Sequence, residues 1–186
     1  MHDLAPLTPL GGTEPRTDAY GGVTLTEVTS TALASVAART GKETAAAAFM
    51  KSQLGVDAPE VGRVAEKTLL AFWIGPHQWM VEAPISTHED LAARLSSASK
   101  GEVSITEQTD GWCRFDLTGT RLEAIFELLC PLNLRTATGN EAIRTAIDHL
   151  GCFVVLRGTA HLSVIGPRSS AGSLHHALLT AMRSAL

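Results

Sequence analysis

Two apolar runs, residues 69–74 and 78–83, are separated by the short polar break Gly75-Pro76-His77. Glycine tolerates positive φ, while proline fixes its own φ and lacks an N–H donor, so this break is typical of a turn. The pattern therefore predicts a β-hairpin. Trp73 and Trp79 flank the turn, and we expect both indole rings to fill a core.

Four further segments carry apolar residues at helical spacing. Thr40 and Glu43 have the spacing of a capping box, and the helix that follows is expected to end at Gly55. The other helices are predicted from Ser86 or Thr87 onward, over residues 121–129 before Pro131, and over residues 170–184.

The remaining apolar segments are short and bounded by polar or turn residues, which is typical of β-strands. They span residues 23–30, 103–107, 112–117, 144–150, 152–156 and 161–165. The order of strands and helices predicts an α+β fold of two joined β-α-β-β-α-like lobes, at about residues 23–101 and 102–186.

Residues 1–22 are rich in proline and glycine and show neither helical nor alternating spacing, so we expect an extended N-terminal tail. Leu4, Leu7 and Leu10 make it more apolar than a plain spacer. Two interpretations stay open at this point: the tail lies on a partner, or it is a frayed terminus.

Composition and charge indicate a globular protein that binds neither nucleic acid nor a membrane. The chain has 186 residues, of which 45% are hydrophobic and 18% charged, and this is sufficient for an ordinary globular core. The net charge of -4 comes without a basic stripe, which argues against nucleic acid as a partner. No apolar run approaches the roughly 20 residues of a membrane span, and we expect no membrane association.

Cysteine usage indicates the compartment. Cys113, Cys130 and Cys152 are odd in number, widely spaced and set among apolar residues, which is the pattern of free buried thiols. We therefore expect a cytoplasmic protein.

Candidate catalytic and metal-binding residues are sparse. His149, Cys152 and the distant His161 are the nearest approach to a metal site, but ordinary core or edge positions explain them better. His175 and His176 are consecutive on a helix and diverge around its axis. Ser169 and Ser170 follow Gly166-Pro167-Arg168 at a strand-to-helix turn, where a helix N-cap is favoured over a nucleophile. We assign no catalytic, cofactor or metal residue to this chain.

One strand combines charged and aromatic residues on a single face. Trp112, Arg114 and Asp116 alternate with the apolar Cys113, Phe115 and Leu117. A face that mixes an aromatic ring with charges suits a partner interface. Arg168, just before the last helix, has two interpretations that stay open: it binds a carboxylate of a partner or ligand with help from the helix dipole, or it is an exposed, solvated arginine. These four residues are our candidate partner interface.

Four segments together resemble a known family. They are residues 73–80 (WIGPHQWM), 110–117 (DGWCRFDL), 129–134 (LCPLNL) and 165–171 (IGPRSSA). In order and spacing they resemble the gamma subunit of bacterial heterotetrameric sarcosine oxidase. The resemblance covers most of the chain after about Val23 and leaves the proline-rich start uncovered.

The resemblance implies an assembly of alpha, beta, gamma and delta subunits. Such an enzyme demethylates sarcosine to glycine oxidatively, with hydrogen peroxide and either formaldehyde or 5,10-methylenetetrahydrofolate as products. It also implies that FAD, FMN, NAD, tetrahydrofolate and zinc are held by other subunits, and that the fold is similar to the folate-binding domain of aminomethyltransferases.

Two alternatives compete with a structural subunit. The first is a folate-binding protein of one-carbon transfer, with Asp110 or Asp116 as a proton relay. The second is a regulatory module that binds a small molecule, although no glycine-rich ligand loop stands at a strand-to-helix junction.

Overall fold

A computed structural model describes residues 6–186 of the chain. Eleven β-strands are found in this part of the chain: β1 Thr17–Tyr20, β2 Val23–Val28, β3 Thr31–Ala38, β4 Val64–Glu66, β5 Leu70–Gly75, β6 Gln78–Pro84, β7 Val103–Glu107, β8 Trp112–Gly119, β9 Ala142–Ile147, β10 Leu150–Gly158 and β11 His161–Pro167. The α-helices are α1 Glu43–Leu54, α2 Ile85–His88, α3 Leu91–Ala98, α4 Leu122–Leu129 and α5 Ala171–Ala185.

The chain forms two compact units. Unit 1 consists of the segment up to Thr29 together with Gly111–Gly139 and Ile143–Leu186. Unit 2 consists of Ser30–Asp110 and Asn140–Ala142.

Unit 1 is a six-stranded sheet in the order β1-β2-β8-β11-β10-β9, with α4 and α5 packed on it. Its apolar core contains Leu117 of β8, Ile125 and Phe126 of α4, and Leu174 and Leu178 of α5, all fully buried. The predicted helical stripe on α4 therefore faces the core as expected, and burying these side chains drives the helices onto the sheet.

Unit 2 is a five-stranded sheet in the order β4-β5-β6-β3-β7, with α1 and α3 packed against its strands. The predicted hairpin is confirmed as β5 and β6, in which Trp73 lies directly opposite Trp79. Trp79 is buried and its Nε1 donates a hydrogen bond to the Pro59 carbonyl at 3.0 Å, while Trp73 is half-buried. His77 takes the positive φ of the turn, at 53°.

The first helix ends as predicted but begins differently. Gly55 adopts the left-handed conformation, with φ 74°, and its N–H bonds back to the Lys51 carbonyl. At the start, Lys42 and not Thr40 is the N-cap residue, and it makes no side-chain cap. The Glu43 carboxylate instead accepts the Gly41 amide at 3.0 Å. A carboxylate thus satisfies a free amide near the helix start, although the register of the capping box was wrong.

The segment boundaries differ from those expected at residues 23–101 and 102–186. β2 pairs with β8, so the strand at residues 23–28 belongs to unit 1. β7, which was expected in the second lobe, instead pairs with β3 and belongs to unit 2. The extended tail expected over residues 1–22 is also shortened, because Thr17–Tyr20 forms β1 and pairs with β2. Leu4 lies outside the described residues.

Within residues 6–186, no helix combines the length and the apolar content required to cross a membrane.

Candidate functional site

The candidate site is a cluster of polar side chains on β8 and its neighbours in unit 1. Alternation along β8 puts Cys113, Phe115 and Leu117 into the apolar core, as the sequence predicted. Arg114 and Asp116 therefore lie on the opposite face of the strand. Their side chains are 14% and 12% exposed, so both charges are largely removed from water.

Arg114 and Asp116 bind each other. The guanidinium donates from Nε to Oδ1 at 2.7 Å and from Nη2 to Oδ2 at 2.8 Å. This two-point geometry matches the planar guanidinium to the planar carboxylate, and it is the strong form of an ion pair. Because the residues are two apart on one strand, the pair also fixes both side chains on the same face.

The neighbouring strand β11 completes the cluster. Ser163 lies directly opposite Asp116 in the sheet, and its hydroxyl donates to Oδ1 at 2.7 Å. His161 Nε2 lies 2.8 Å from Oδ2. Arg157 of β10 then donates from Nε to the Ser163 hydroxyl at 3.0 Å. Each oxygen of the Asp116 carboxylate thus accepts two hydrogen bonds.

The electrostatics favour the charged form of Asp116. Burial opposes ionisation, but the hydrogen bond and charge of Arg114, with the hydrogen bonds from Ser163 and His161, outweigh it and lower the pKa of the carboxyl group from its ordinary 3.8. A carboxylate with a lowered pKa and four donors is a poor proton acceptor near neutral pH. Its chemistry suits a structural anchor better than a proton relay. Asp110, the other proposed relay, is an exposed residue of unit 2 and lies in the 3₁₀ turn Thr109–Gly111.

The other two interface candidates have different surroundings. Trp112 is half-buried, and its ring packs on Phe153 with centroids 5.6 Å apart at a tilt of 57°. Arg168 lies in the 3₁₀ turn before α5, where its Nη2 donates to the Leu7 carbonyl at 2.8 Å. That nitrogen thus binds a main-chain oxygen of the same unit, and binding of a partner's carboxylate by Arg168 stays a prediction.

The remaining candidate residues have structural surroundings. His149 occupies the turn between β9 and β10 with φ 65°, while Cys152 is buried. No group of three or more His, Cys, Asp or Glu suited to a metal ion is found among residues 6–186. Ser170 holds the N-cap position of α5, as predicted, but its side chain makes no capping hydrogen bond.

The two consecutive histidines diverge as predicted. His175 is buried, its ring packs on Phe115 at 5.6 Å, and its Nε2 lies 2.8 Å from Oδ2 of Asp18 in β1. His176 is exposed. The pair cannot hold one ligand together, and His175 instead ties α5 to the edge of the sheet.

The three cysteines are free. Burial is the main reason that the pKa of Cys113 and that of Cys152 both rise to about 11, and burial also raises the pKa of Cys130. A thiol with such a pKa is almost wholly protonated at neutral pH and is a weak nucleophile.

Arg114 and Asp116 were predicted from the sequence, whereas Arg157 and Ser163 were missed and His161 was considered only as a distant metal ligand. The signal for two of them was the alternation of β11, in which His161 and Ser163 are the polar residues of one face. The sequence does not indicate which strand pairs with β8, so the contacts of His161 and Ser163 with Asp116 could not be predicted.

No family model matches the sequence, and no curated protein sequence matches it either.

Solved structures do match. One is a chain of the heterotetrameric sarcosine oxidase from Corynebacterium sp. U-96, in complex with pyrrole 2-carboxylate, at 25% identity and a TM-score of 0.72; the match covers 87% of this chain and 84% of that one. Another is the glycine cleavage system aminomethyltransferase T from Bartonella henselae, at 14% identity and a TM-score of 0.71. There the match covers 95% of this chain but only 57% of the aminomethyltransferase. This chain therefore has the mixed α+β fold of these two structures, with two antiparallel sheets.

Proposed function

We propose that this chain is the gamma subunit of a heterotetrameric sarcosine oxidase and serves as a non-catalytic structural subunit. The observation that carries the proposal is the match to a sarcosine oxidase chain over 87% of this chain and 84% of that one. Near-complete coverage in both directions supports a counterpart of one subunit better than a shared fragment.

The proposed complex demethylates sarcosine to glycine oxidatively. Oxygen is reduced to hydrogen peroxide, and the one-carbon unit leaves as formaldehyde or as 5,10-methylenetetrahydrofolate. In this proposal the alpha, beta and delta subunits are the partners, and they carry FAD, FMN, NAD, tetrahydrofolate and zinc. The gamma chain contributes surface and shape to the assembly.

The environment of the reactive side chains supports a non-catalytic role. The Asp116 carboxylate is occupied by Arg114, Ser163 and His161, and its pKa is lowered, so it is held as an anion. Cys113 and Cys152 have a pKa of about 11, which disfavours the thiolate. These groups hold unit 1 together and are poorly prepared for proton transfer or nucleophilic attack.

On the proposed docking surface, Trp112 has a different part from the pair Arg114 and Asp116. Trp112 is only partly buried, and a partly exposed tryptophan is a suitable anchor for a partner pocket. Arg114 and Asp116 lie largely out of solvent and bind each other. We therefore propose that this pair fixes the strand that presents Trp112.

Coexpression tests the proposal. The chain is tagged and expressed alone, or together with the alpha, beta and delta subunits of the same organism. We expect poor solubility alone and a stable stoichiometric complex on coexpression, since obligate interfaces often bury about 2,000 Å² or more. Trp112→Ala should reduce recovery of the partners. The matched control is Leu128→Ala, which alters another exposed apolar side chain and should leave that recovery unchanged. A well-behaved monomer that retains none of the three subunits would contradict the proposal.

Calorimetric titration of the isolated chain with tetrahydrofolate separates the folate-binding alternative. We expect no heat of binding. Saturable binding at a one-to-one ratio would favour the one-carbon transfer protein over the structural subunit.

A further inference from the structure

Glu27 breaks the pattern of its own strand. Val23, Leu25 and Glu27 alternate along β2 toward the same face, and the first two belong to the apolar core of unit 1. Glu27 lies opposite Phe115 and is only 2% exposed. A carboxylate on the core face of a strand is costly unless its oxygens accept hydrogen bonds.

The N-terminal segment supplies those hydrogen bonds. Glu27 Oε1 accepts the Leu10 amide at 2.9 Å, and Oε2 accepts the Arg16 amide at 3.1 Å. The Glu27 amide in turn donates to the Arg16 carbonyl at 2.8 Å. One side chain therefore holds two points of the main chain that are six residues apart.

Two further contacts fasten the same segment. Leu10 packs against the core of unit 1, and Arg168 donates to the Leu7 carbonyl at 2.8 Å. The same segment contains a tight turn closed by two hydrogen bonds. The Thr8 amide donates to the Gly12 carbonyl at 2.9 Å, and the Gly11 amide donates to the Thr8 carbonyl at 2.8 Å. Residues 6–16 lie in no strand or helix, so these contacts are what orders them.

We infer that residues 6–16 form a strap that closes one end of the unit 1 core, and that Glu27 is the latch that fastens it. The strap and the carboxyl group depend on each other, because opening the strap leaves a buried polar group without two of its hydrogen-bond donors. The strap therefore stays latched when the chain assembles with other subunits, and it is not an arm that reaches over a partner. This inference holds whichever partner the chain has.

Amide hydrogen exchange of the full chain, resolved by residue with NMR, tests the latch. In the wild type the Leu10 and Arg16 amides should be protected. Glu27→Ala should speed their exchange by about tenfold or more, because hydrogen bonds to a charged acceptor are among the stronger ones. Glu27→Gln keeps one carbonyl oxygen as an acceptor. Exchange should therefore rise more at one of the two amides, Leu10 or Arg16, than at the other. Glu14→Gln is the matched control, since Glu14 is an exposed carboxylate on the same strap.

A second variant covers the case in which Glu27→Ala does not fold. Arg168→Met removes the contact at Leu7 and leaves Glu27 in place, so exchange should rise at Thr8 and Gly11 while the Arg16 amide stays protected. If the Leu10 and Arg16 amides each exchange at the same rate in Glu27→Gln as in the wild type, the inferred role of Glu27 is wrong.

The same measurement on an affinity-purified complex tests whether the strap stays fastened. Protection of Leu10 and Arg16 should be equal in the free and the assembled chain. Loss of that protection on assembly would overturn the inference. Failure to form any complex would instead count against the proposed function and leave the latch in the free chain standing.

Discussion

Unit 1 and unit 2 are built from similar parts but are stabilised differently. Each has an antiparallel sheet with helices packed on it. Four of the six buried polar residues of the described chain lie in unit 1: Glu27, Asp116, Ser163 and His175. The core cluster of unit 2 is instead rich in alanine and valine, with Ala32, Ala34 and Val36 of β3 fully buried.

The two units should therefore lose stability through different kinds of substitution. An apolar core loses stability in proportion to the surface and volume removed. A buried charge loses far more when its partner is removed, because the remaining charge is left without compensation. We therefore expect unit 1 to be the more sensitive to single charge changes and to acid.

The largest effect is expected from Asp116→Ala. It leaves Arg114 largely buried without its carboxylate, and the free energy of unfolding should fall by about 3–5 kcal/mol, as for other broken buried pairs. Urea unfolding monitored by tryptophan fluorescence measures this change. The control in unit 2 is Asp90→Ala, which breaks the Arg94–Asp90 pair, with both side chains more than half exposed. Exposed pairs contribute about 0.2–1 kcal/mol, so equal losses in the two variants would remove the contrast between the units.

Much of the architecture could be predicted from the sequence. Long-range pairing and small residues account for most of what was missed. The hairpin β5–β6, the buried face of α4 and the alternation of β8 follow from local spacing, and all are found in the structure. β3 was missed because Thr31–Ala38 is largely small residues, and alanine is depleted in strands.

The candidate site was predicted only as far as one strand allows. Arg114 and Asp116 share a face of β8, and this is evident from period-two spacing. The contribution of His161 and Ser163 requires the register of β11 against β8, which joins residues 45 and 47 positions apart in the chain. The Glu27 latch had a local signal, a carboxylate in line with Val23 and Leu25, but no partner could be identified from a proline-rich segment.

A smaller loss is expected from Gly119→Ala in unit 1. Gly119 has φ 143°, and a Cβ there would meet the Gly22 carbonyl oxygen and would lie 2.9 Å from the Val23 Cα. Both neighbours are backbone atoms of β2 or its turn, so the strand must shift, at a cost of about 1–3 kcal/mol. Gly101→Ala in unit 2 has a positive φ of 81° but open space around the added carbon. Thermal unfolding should show a larger fall in Tm for Gly119→Ala than for Gly101→Ala. A larger fall for Gly101→Ala would show that the close approach of β2 to Gly119 does not limit stability.

Acid should weaken unit 1 first. The pKa of Asp18 is lowered, chiefly by the hydrogen bond from Arg16 and despite burial, with His175 also contributing. The pKa of Asp116 is lowered as well. A lowered folded-state pKa gives stability that is complete above the unfolded value and is lost as pH falls through the folded value. Both contributions should therefore be constant from neutral pH to about pH 5 and should decline below about pH 4.

Amide exchange at decreasing pH, corrected for the intrinsic rates, checks this expectation. Protection around β8 and α5 should fall before protection around β3 and β6. Asp116→Asn should reduce the difference between the units, since it removes one of the two titrating groups. Simultaneous loss of protection in both units in the wild type would show that these carboxylates do not set the acid response.

The smallest expected effect concerns thiol reactivity, which involves unit 1 alone. Cys113 and Cys152 are buried with a pKa of about 11, and Cys130 is partly buried. At pH 8 a thiol-reactive dye should therefore label the native chain slowly, with Cys130 first, and should label all three after unfolding. Rapid labelling of Cys113 in the native chain would indicate that the core of unit 1 opens readily.

Under the proposed function, this chain is a structural subunit of a heterotetrameric oxidase. Native mass spectrometry of the coexpressed and purified assembly tests it most directly. We expect one complex with a single copy each of four different chains, this chain among them, and unchanged sarcosine turnover per complex when Asp116 is replaced by Asn. Recovery of this chain only as a free monomer, or loss of turnover in an intact Asp116→Asn complex, would contradict it.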